Sequence, residues 1–513
     1  MTQPPFKGRV SLVGAGPGDP GLLTVKALKR LERADLIIYD TLANPRHLAH
    51  AKSSAIKICV GKGFRYHRLS QARINRLVIR ASKKGWQVVR LKGGDPYLFG
   101  RGGEEALFLH RHRIPFEVVP GVTSATACAA YAGIPLTHRS HNSTVTFLTG
   151  HRAGDRELDS VPWEKLVSIG GTLVVYMGFY NLTKITERLM RAGMPAATRV
   201  SVIEWGTLPY QKSCDGTLRT IGALVKKKKL KAPCIIIIGE VVSLGKQLNW
   251  FERLPLFGKK IVVTRTRDKA GLLTERLTEL GADVLEFPTI EIKPLSDYSQ
   301  MDRAVREVLR WDWIIFTSTY GVEAFFKRLL FRHNRDARYL SGVKTAVVGP
   351  ETELALYKRG VLADLKPARF ETSALADEFR RRSISLRGKN VLLFRADKAT
   401  PELEANFKKL GAQVCRVNAY RTKLPRALPK NFKNELLNGR VSLVTFTSAS
   451  TVSHFVKILG LDFVKRLARR VKFASIGPVT SRTLKAYGLR PACEAKHFTI
   501  DGLVEAIRKE GVG

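Results

Sequence analysis

Five glycines and an aspartate (Gly93, Gly94, Asp95, Gly100, Gly102 and Gly103) fall within eleven residues, directly after the β-rich apolar run Trp86 to Leu91. Glycines clustered where a strand stops let backbone approach a ligand closely. Open α/β sheets bind ligands outside the carboxyl ends of their strands. A lone Gly-Gly pair is usually an ordinary tight turn, but this density points to the wall of a small-molecule site. A second loop of the same kind, Gly14-Ala15-Gly16-Pro17-Gly18-Asp19-Pro20-Gly21, follows the apolar run Arg9 to Val13. Gly-x-Gly after a strand, with an acid about twenty residues on, invites a dinucleotide reading. Asp19 speaks against it, standing where that fingerprint needs a third glycine for close helix packing. Pro17 and Pro20 also remove amide donors that a pyrophosphate would use. The loop suits a ligand without phosphates, which disfavours a nicotinamide-dependent oxidoreductase.

The elements that must hold these loops alternate. Strands are expected at 9–13, 34–39, 56–60, 86–91 and 116–119, and each ends in glycine, proline or a polar group: Asp40 after the second, Gly61-Lys62-Gly63 after the third, Pro120-Gly121-Val122-Thr123-Ser124 after the fifth. Helices are expected over 22–31, with Thr24 as N-cap, over 71–84, and over 125–131, capped by Thr123 or Ser124. Such alternation implies a parallel sheet with its site along one edge. After a break at Gly133 to Arg139, further strands at 144–148, 171–176, 199–204 and 233–238 again turn at glycine (Gly150, Gly178, Gly206, Gly239). A second site-facing edge is expected there, and two facing edges make a cleft.

The whole chain sets bounds. Its 513 residues, 44% hydrophobic and 26% charged, suggest three to four globular domains. No apolar run approaches membrane-spanning length, and the first residues carry no apolar signal region. Cys59, Cys128, Cys214, Cys234, Cys415 and Cys493 are scattered without a Cys-x-x-Cys pair, against a disulfide framework or a zinc site and in favour of a reducing cytoplasm. The formal charge of +43 favours anionic ligands. It is spread along the chain and locates no site; runs such as Lys226 to Lys229 read as solvated helix faces. A nucleic-acid-binding protein would also carry this charge, but no basic–aromatic binding module is visible.

The motifs at residues 13–24, Tyr39-Asp40, Val60-Gly61-Lys62, Arg90 to Glu105, and Val119 to Ser124 through Gly133 to Arg139 resemble, in order, those of uroporphyrinogen-III C-methyltransferases of the tetrapyrrole methylase family. The likeness covers about residues 8 to 250. It implies two α/β subdomains (about 8–133 and 140–250), S-adenosyl-L-methionine in the cleft, a homodimer, and two methyl transfers to uroporphyrinogen III giving precorrin-2. By the same resemblance Pro17, Gly93, Gly94, Asp95, Leu98, Thr123, Ser124, Met177 and Gly206 would line the donor's site, with Asp40 as proton acceptor and Lys62 as proton donor. On position alone Asp40 reads equally well as a helix cap and Lys62 as a surface lysine; a carboxylate and an ammonium at neighbouring strand ends nonetheless suit the proton redistribution that the chemistry needs.

Beyond a polar linker at 251–260 the chain repeats itself. Residues 261–265 pair with 391–395, Leu280-Gly281-Ala282 with Leu410-Gly411-Ala412, and Phe316-Thr317-Ser318 with Phe446-Thr447-Ser448, all offset by 130; Val348-Gly349-Pro350 and Ile476-Gly477-Pro478 follow at 128. A near-constant offset over four signatures indicates duplicated α/β units. Hydroxyls recur at the strand ends, where Ser and Thr ordinarily cap helices. Helix N-termini also bind carboxylates, so several such ends could hold a polyanion without a metal. The Phe-Thr-Ser turns, Gly477 to Thr480 with Thr483 and Gly488, and Phe498 to Leu503 resemble uroporphyrinogen-III synthases over about 258–510. The chain departs from that pattern with Tyr320-Gly321 and Ser450-Thr451 where Asn-Gly is common. The resemblance implies cofactor-free closure of hydroxymethylbilane with inversion of ring D. It also implies two lobes (about 261–290 plus 425–513, and 296–420) joined by crossing strands at 287–294 and 414–423. Thr317, Ser318, Thr447, Ser448, Gly477, Thr480 and Tyr420 are its candidate substrate residues, and no metal is implied.

The expected fold class is therefore α/β: a two-domain tetrapyrrole methylase fold followed by a two-lobed synthase fold with duplicated parallel-sheet units. The expected protein is a cytoplasmic bifunctional enzyme acting on anionic tetrapyrroles, with no nucleic-acid or membrane partner. No dehydrogenase or chelatase segment precedes Arg9, so precorrin-2 is the expected end product. The alternative is a methyltransferase carrying a non-catalytic C-terminal binding module.

Overall fold

Strands β1 (Val10–Gly14), β2 (Leu36–Tyr39), β3 (Ile56–Cys59), β4 (Val88–Lys92) and β5 (Phe116–Val119) form one sheet in the order β3-β2-β4-β1-β5, all neighbours parallel. These come from a computed structural model that describes residues 8–61, 69–150, 158, 160–265, 267–368, 372–424 and 432–511. All five residues of β1 and of β4 are buried, as strands covered on both faces must be. Side chains alternate along a strand. Val10, Leu12, Ile38 and Val88 therefore enter one core with Ile74, Val78 and Leu109 of the helices Gln71–Lys83 and Gly102–Arg111. Val13, Ile37, Val89 and Leu91 enter the other, with Ala27 and Leu31. The first helix starts later than its apolar pattern suggests. Pro20–Leu22 is a 3₁₀ turn capped by Asp19, and the α-helix runs Val25–Arg33 with Thr24 Oγ1 accepting from the Ala27 amide at 3.2 Å.

The second sheet combines β6 (Val145–Thr149), β7 (Thr172–Tyr176), β8 (Arg199–Glu204), β9 (Lys212–Thr217) and β10 (Cys234–Ile238) in the order β6-β7-β10-β8-β9. It departs from the expected pattern in two ways. Strand β9 (Lys-Ser-Cys-Asp-Gly-Thr) hairpins back on β8 with no apolar run to announce it. Strand β10 is antiparallel to both β7 and β8, so Ile238 lies beside Leu173 and Val200. Gly239-Glu240 consequently turns at the opposite end of the sheet from Gly178 and Gly206, and does not share their edge.

Downstream lie β11 (Lys260–Val263), β12 (Asp283–Glu286), β13 (Glu291–Lys293), β14 (Trp313–Phe316), β15 (Lys344–Val347), β16 (Asn390–Ala396), β17 (Gln413–Lys423), β18 (Val441–Phe446), β19 (Lys472–Ser475) and β20 (Cys493–Glu494). They make two five-stranded sheets, β12-β11-β18-β19-β20 and β13-β17-β16-β14-β15. The repeat equates β11 with β16, β12 with β17, β14 with β18 and β15 with β19. Each sheet therefore takes its first pair from one copy and its second pair from the other. The crossing segment differs from expectation. Only Glu291–Lys293 is a strand, antiparallel to Lys423–Arg421, whereas Phe287 is buried in the neighbouring core and stacks on Phe432 at 4.0 Å. By contact density the chain falls into two compact units, residues 1–261 with 275–284 and 507–513, and residues 262–274 with 285–506.

Candidate active site

Three loops at the carboxyl edge of the first sheet meet backbone to backbone. The Gly16 amide donates to the Gly94 carbonyl at 3.2 Å, and the Gly94 amide to the Gly16 carbonyl at 2.8 Å. A Cβ on Gly121 would sit 2.3 Å from the Gly94 oxygen and 2.7 Å from the Gly14 Cα, so only glycine fits there. Gly16 and Gly94 also adopt φ of +73° and +66°, a region open to glycine at no steric cost. Asp95 is spent on this architecture. Its Oδ1 accepts from the Tyr97 and Leu98 amides (2.8 and 3.0 Å) and its Oδ2 from the Gly121 amide (3.1 Å). Asp19 works likewise, accepting from the Gly21 amide at 2.7 Å and from the Tyr131 hydroxyl at 2.6 Å, while its own amide donates to Thr207 Oγ1 at 3.0 Å. The residue that breaks the dinucleotide fingerprint thus ties the first loop to the strand-end loop after β8.

The small-residue helix Ser124–Tyr131 packs Ala125, Cys128 and Ala129 against Val174, Ile203 and Ile235 of the second sheet. The approach is so close that a Cβ on Gly206 would lie 2.3 Å from Cys128 Sγ. Thr123 stands at the N-cap position but does not cap. It shares a 2.6 Å hydrogen bond with the Tyr176 hydroxyl, which accepts from the Ala125 amide at 3.2 Å. Burial pushes the Tyr176 phenol above its ordinary range. The result is a cleft of about 1590 Å³. Pro17, Gly93, Gly94, Asp95, Leu98, Thr123, Ser124, Met177 and Gly206 all line it. Met177 (φ +53°) and Trp205 (φ +49°) hold left-handed backbone beside it, a conformation costing about 1–3 kcal/mol in non-glycine residues.

Asp40 follows β2 on the face of Ile38, and Arg90 and Lys92 follow Val88 on the same face of the adjoining strand, with Ile38 opposite Arg90. These side chains extend an apolar core into a charged cluster. Arg90 Nη2 donates to Asp40 Oδ1 at 2.6 Å, and its Nε to Glu105 Oε1 at 3.1 Å. Lys92 Nζ is 3.3 Å from both oxygens of Glu105 and 4.0 Å from Asp40 Oδ2. Arg90, Lys92 and Glu105 are buried, whereas the Asp40 side chain is 32% exposed. Asp40 is not itself part of the cleft lining; its neighbours Thr41 to Pro45 are. Lys62 lies outside the described residues. Sequence reasoning passed over Arg90, Lys92, Glu105 and Tyr176. The available signal was Arg90 and Lys92 two apart in an otherwise apolar strand, which places both charges on one face.

Downstream, Ser318 Oγ accepts from the Gly321 amide at 3.2 Å and from the Tyr420 hydroxyl at 3.1 Å, with the Tyr320 and Tyr420 rings 5.3 Å apart and Thr317 Oγ1 donating to the Phe394 carbonyl at 3.3 Å. Burial raises the Tyr420 phenol. Thr447 and Ser448 follow β18, and Gly477 and Thr480 follow the adjacent parallel β19; Ser448 forms a capping box with Thr451, and Thr480 is buried. The seven candidates thus fall into two groups, each at a strand-end edge of its own sheet. Among the described residues no group of His, Cys, Asp or Glu could hold a metal ion, and no helix is long and apolar enough to cross a membrane.

These features have known relatives. A family model for Tetrapyrrole (Corrin/Porphyrin) Methylases matches residues 9–222, and one for Uroporphyrinogen-III synthase HemD matches residues 272–505. The porphyrin biosynthesis protein HemD of Ruminiclostridium josui is 36% identical over 511 residues, 99% of each chain. A uroporphyrinogen-III C-methyltransferase of Bacillus subtilis is 40% identical over 357 residues, 69% of this chain and 72% of its own. The crystal structure of the Thermus thermophilus uroporphyrin-III C-methyl transferase complexed with S-adenyl homocysteine shares 40% identity over 46% of this chain and all of its own, with a TM-score of 0.39. An α/β tetrapyrrole methylase joined to a second α/β body is the class that results. The chain belongs to the porphyrin-biosynthesis family that joins a tetrapyrrole methylase to a uroporphyrinogen-III synthase.

Proposed function

We propose that the chain closes hydroxymethylbilane to uroporphyrinogen III with inversion of ring D, and then methylates that product twice from S-adenosyl-L-methionine to give precorrin-2. The observation that carries the methylation reading is the convergence of nine sequence-selected residues, from both sheets, on one cleft of about 1590 Å³. Ordinary ligand clefts run to roughly 1,000 Å³, so this one has room for a nucleoside donor together with a macrocycle. Gly16, Gly18, Gly93 and Gly94 line the cleft without side chains in the way of a ligand, and the loop's prolines suit one without phosphates. S-adenosylmethionine, when bound, supplies an electrophilic sulfonium methyl. The residues of this chain do the rest: Pro17, Gly93 to Asp95, Leu98, Thr123, Ser124, Met177 and Gly206 hold and orient the donor, since alignment is a large share of such a barrier. Asp40 accepts the proton released from the methylated macrocycle, and Lys62 returns one.

In the synthase half, residues 261–513 after a linker at 251–260, the strand-end groups Thr317, Ser318, Tyr420, Thr447, Ser448, Gly477 and Thr480 bind acetate and propionate side chains through hydroxyls and helix amides, without a cofactor. The protein works in the cytoplasm as a homodimer formed through residues 1–250. Purified chain supplied with uroporphyrinogen III and methyl-labelled donor tests the methylation: label in a dimethylated product is expected, and no transfer overturns it. Asp40→Asn should cut methylation by about 100-fold or more while leaving ring closure of hydroxymethylbilane intact; loss of both activities would contradict independent sites.

A further inference from the structure

We propose that Lys92 is a positioning residue for methyl transfer: its buried ammonium, braced by Glu105, holds the second carboxylate oxygen of Asp40, and loss of the Lys92 proton closes the alkaline limb of the reaction. The inference rests on the methyltransferase reading above. Asp40 has its two oxygens divided between two cations, Arg90 at 2.6 Å on Oδ1 and Lys92 at 4.0 Å on Oδ2. Its Lys92 partner is 5% exposed and its Arg90 partner 4%. Two cations and two carboxylates balance in this pocket, so removing one charge leaves another buried and uncompensated.

Each element packed here contributes. Asp40 comes from the end of β2 and Arg90 from Lys92's own strand. Glu105 and Glu104 come from the helix Gly102–Arg111, with Glu104 turned outward onto Arg101 at 2.6 Å. Gln71, from the helix Gln71–Lys83, donates to Glu105 Oε1 at 3.0 Å. A guanidinium keeps its proton in proteins, so Lys92 is the cation of the pair that titrates. Burial lowers its pKa first and the neighbouring Arg90 charge next, against the opposing pull of Glu105 and Asp40. A lysine lowered in this way sheds its proton at a lower pH than a free one, which titrates near 10.4. Above that point Asp40 keeps Arg90 on Oδ1 but loses the counter-charge beside Oδ2.

The test measures methyl transfer from about pH 6 to 10 by the full chain and by Lys92→Met and Lys92→Arg, with S-adenosylhomocysteine affinity and ring closure followed alongside. Lys92→Met should lose about 100-fold in kcat, with donor-analogue affinity, KM and ring closure within threefold. Lys92→Arg should keep most of the rate at neutral pH and lose the alkaline limb. In the wild-type chain the limb should shift strongly with temperature, as an amine's does and a carboxyl's does not. An amine-type limb that survives in Lys92→Arg belongs to another amine such as Lys62 and overturns the proposal. A Lys92→Met enzyme with the wild-type rate and limb overturns the proposal, as does one that loses donor-analogue binding together with rate, or a limb insensitive to temperature. No transfer by the wild-type chain would overturn the methyltransferase reading itself, and this proposal with it.

Discussion

Gly121 shows how tightly the loops behind the cleft are specified at the scale of single residues. A methyl there would meet the Gly94 carbonyl at 2.3 Å, and both partners are backbone that cannot rotate away. Overpacking of this kind costs about 1–3 kcal/mol. Gly121→Ala should therefore weaken S-adenosylhomocysteine binding about tenfold or more by calorimetry; unchanged affinity would mean the loops do not approach as described. The glycine clusters were legible from sequence because backbone approach needs glycine whatever the ligand. Asp19 was legible as a disqualification, though not as the clamp it is: its partners Tyr131 and Thr207 are 112 and 188 residues away. The charged cluster behind Asp40 was hidden for a related reason. Arg90 and Lys92 sit in an apolar run, and Glu105 sits in a pair of acids that reads as a solvated helix start. Only the register of β2 beside β4 shows that Asp40, Arg90 and Lys92 share one face. Ser318 and Ser448 went the other way, since their ordinary role as helix caps is the role observed.

At the scale of elements, the helix Val25–Arg33 is fastened to β5 through Glu117. Burial by itself would raise this carboxyl, but hydrogen bonds from Arg30, Ser11 and Lys26 and the nearby Arg9 charge outweigh it and hold the pKa at about 2. The folded value lies below the ordinary 4.5, so this contribution is complete above pH 4.5 and lost as pH falls through 4.5 towards 2. Glu117→Gln should lower stability by about 1–3 kcal/mol near neutrality. By calorimetry the gap to wild type should narrow steadily below pH 4.5, and a gap constant with pH would contradict the assignment. Strands with strong apolar patterns were read from sequence to within a residue or two. Strand β9 was not, because Cys214 is its one buried side chain and no apolar pattern marks its pairing with β8. The reversed direction of β10 was also invisible. Its run of four isoleucines at 235–238 fits a buried strand of either sense, and direction is set by which neighbours it joins.

At the scale of the whole molecule, duplication was visible as a repeat offset of 130, but the exchange of strand pairs between copies was not. Periodicity shows that two segments are alike; it does not show which of them share a sheet. The exchange explains why each downstream sheet draws on residues more than a hundred positions apart, as in the 2.7 Å hydrogen bond from Thr264 Oγ1 to the Thr445 carbonyl. The charge of +43 is likewise a property of the whole chain. Its spread fits the proposed pair of polycarboxylate substrates. The most direct measurement of that account starts from the linear substrate. Purified chain is given hydroxymethylbilane and methyl-labelled S-adenosylmethionine, and the products are separated by ring isomer. Labelled dimethylated material of the type III isomer is the predicted result; unlabelled type I ring alone would contradict the synthase assignment, and unlabelled type III ring the methyltransferase one.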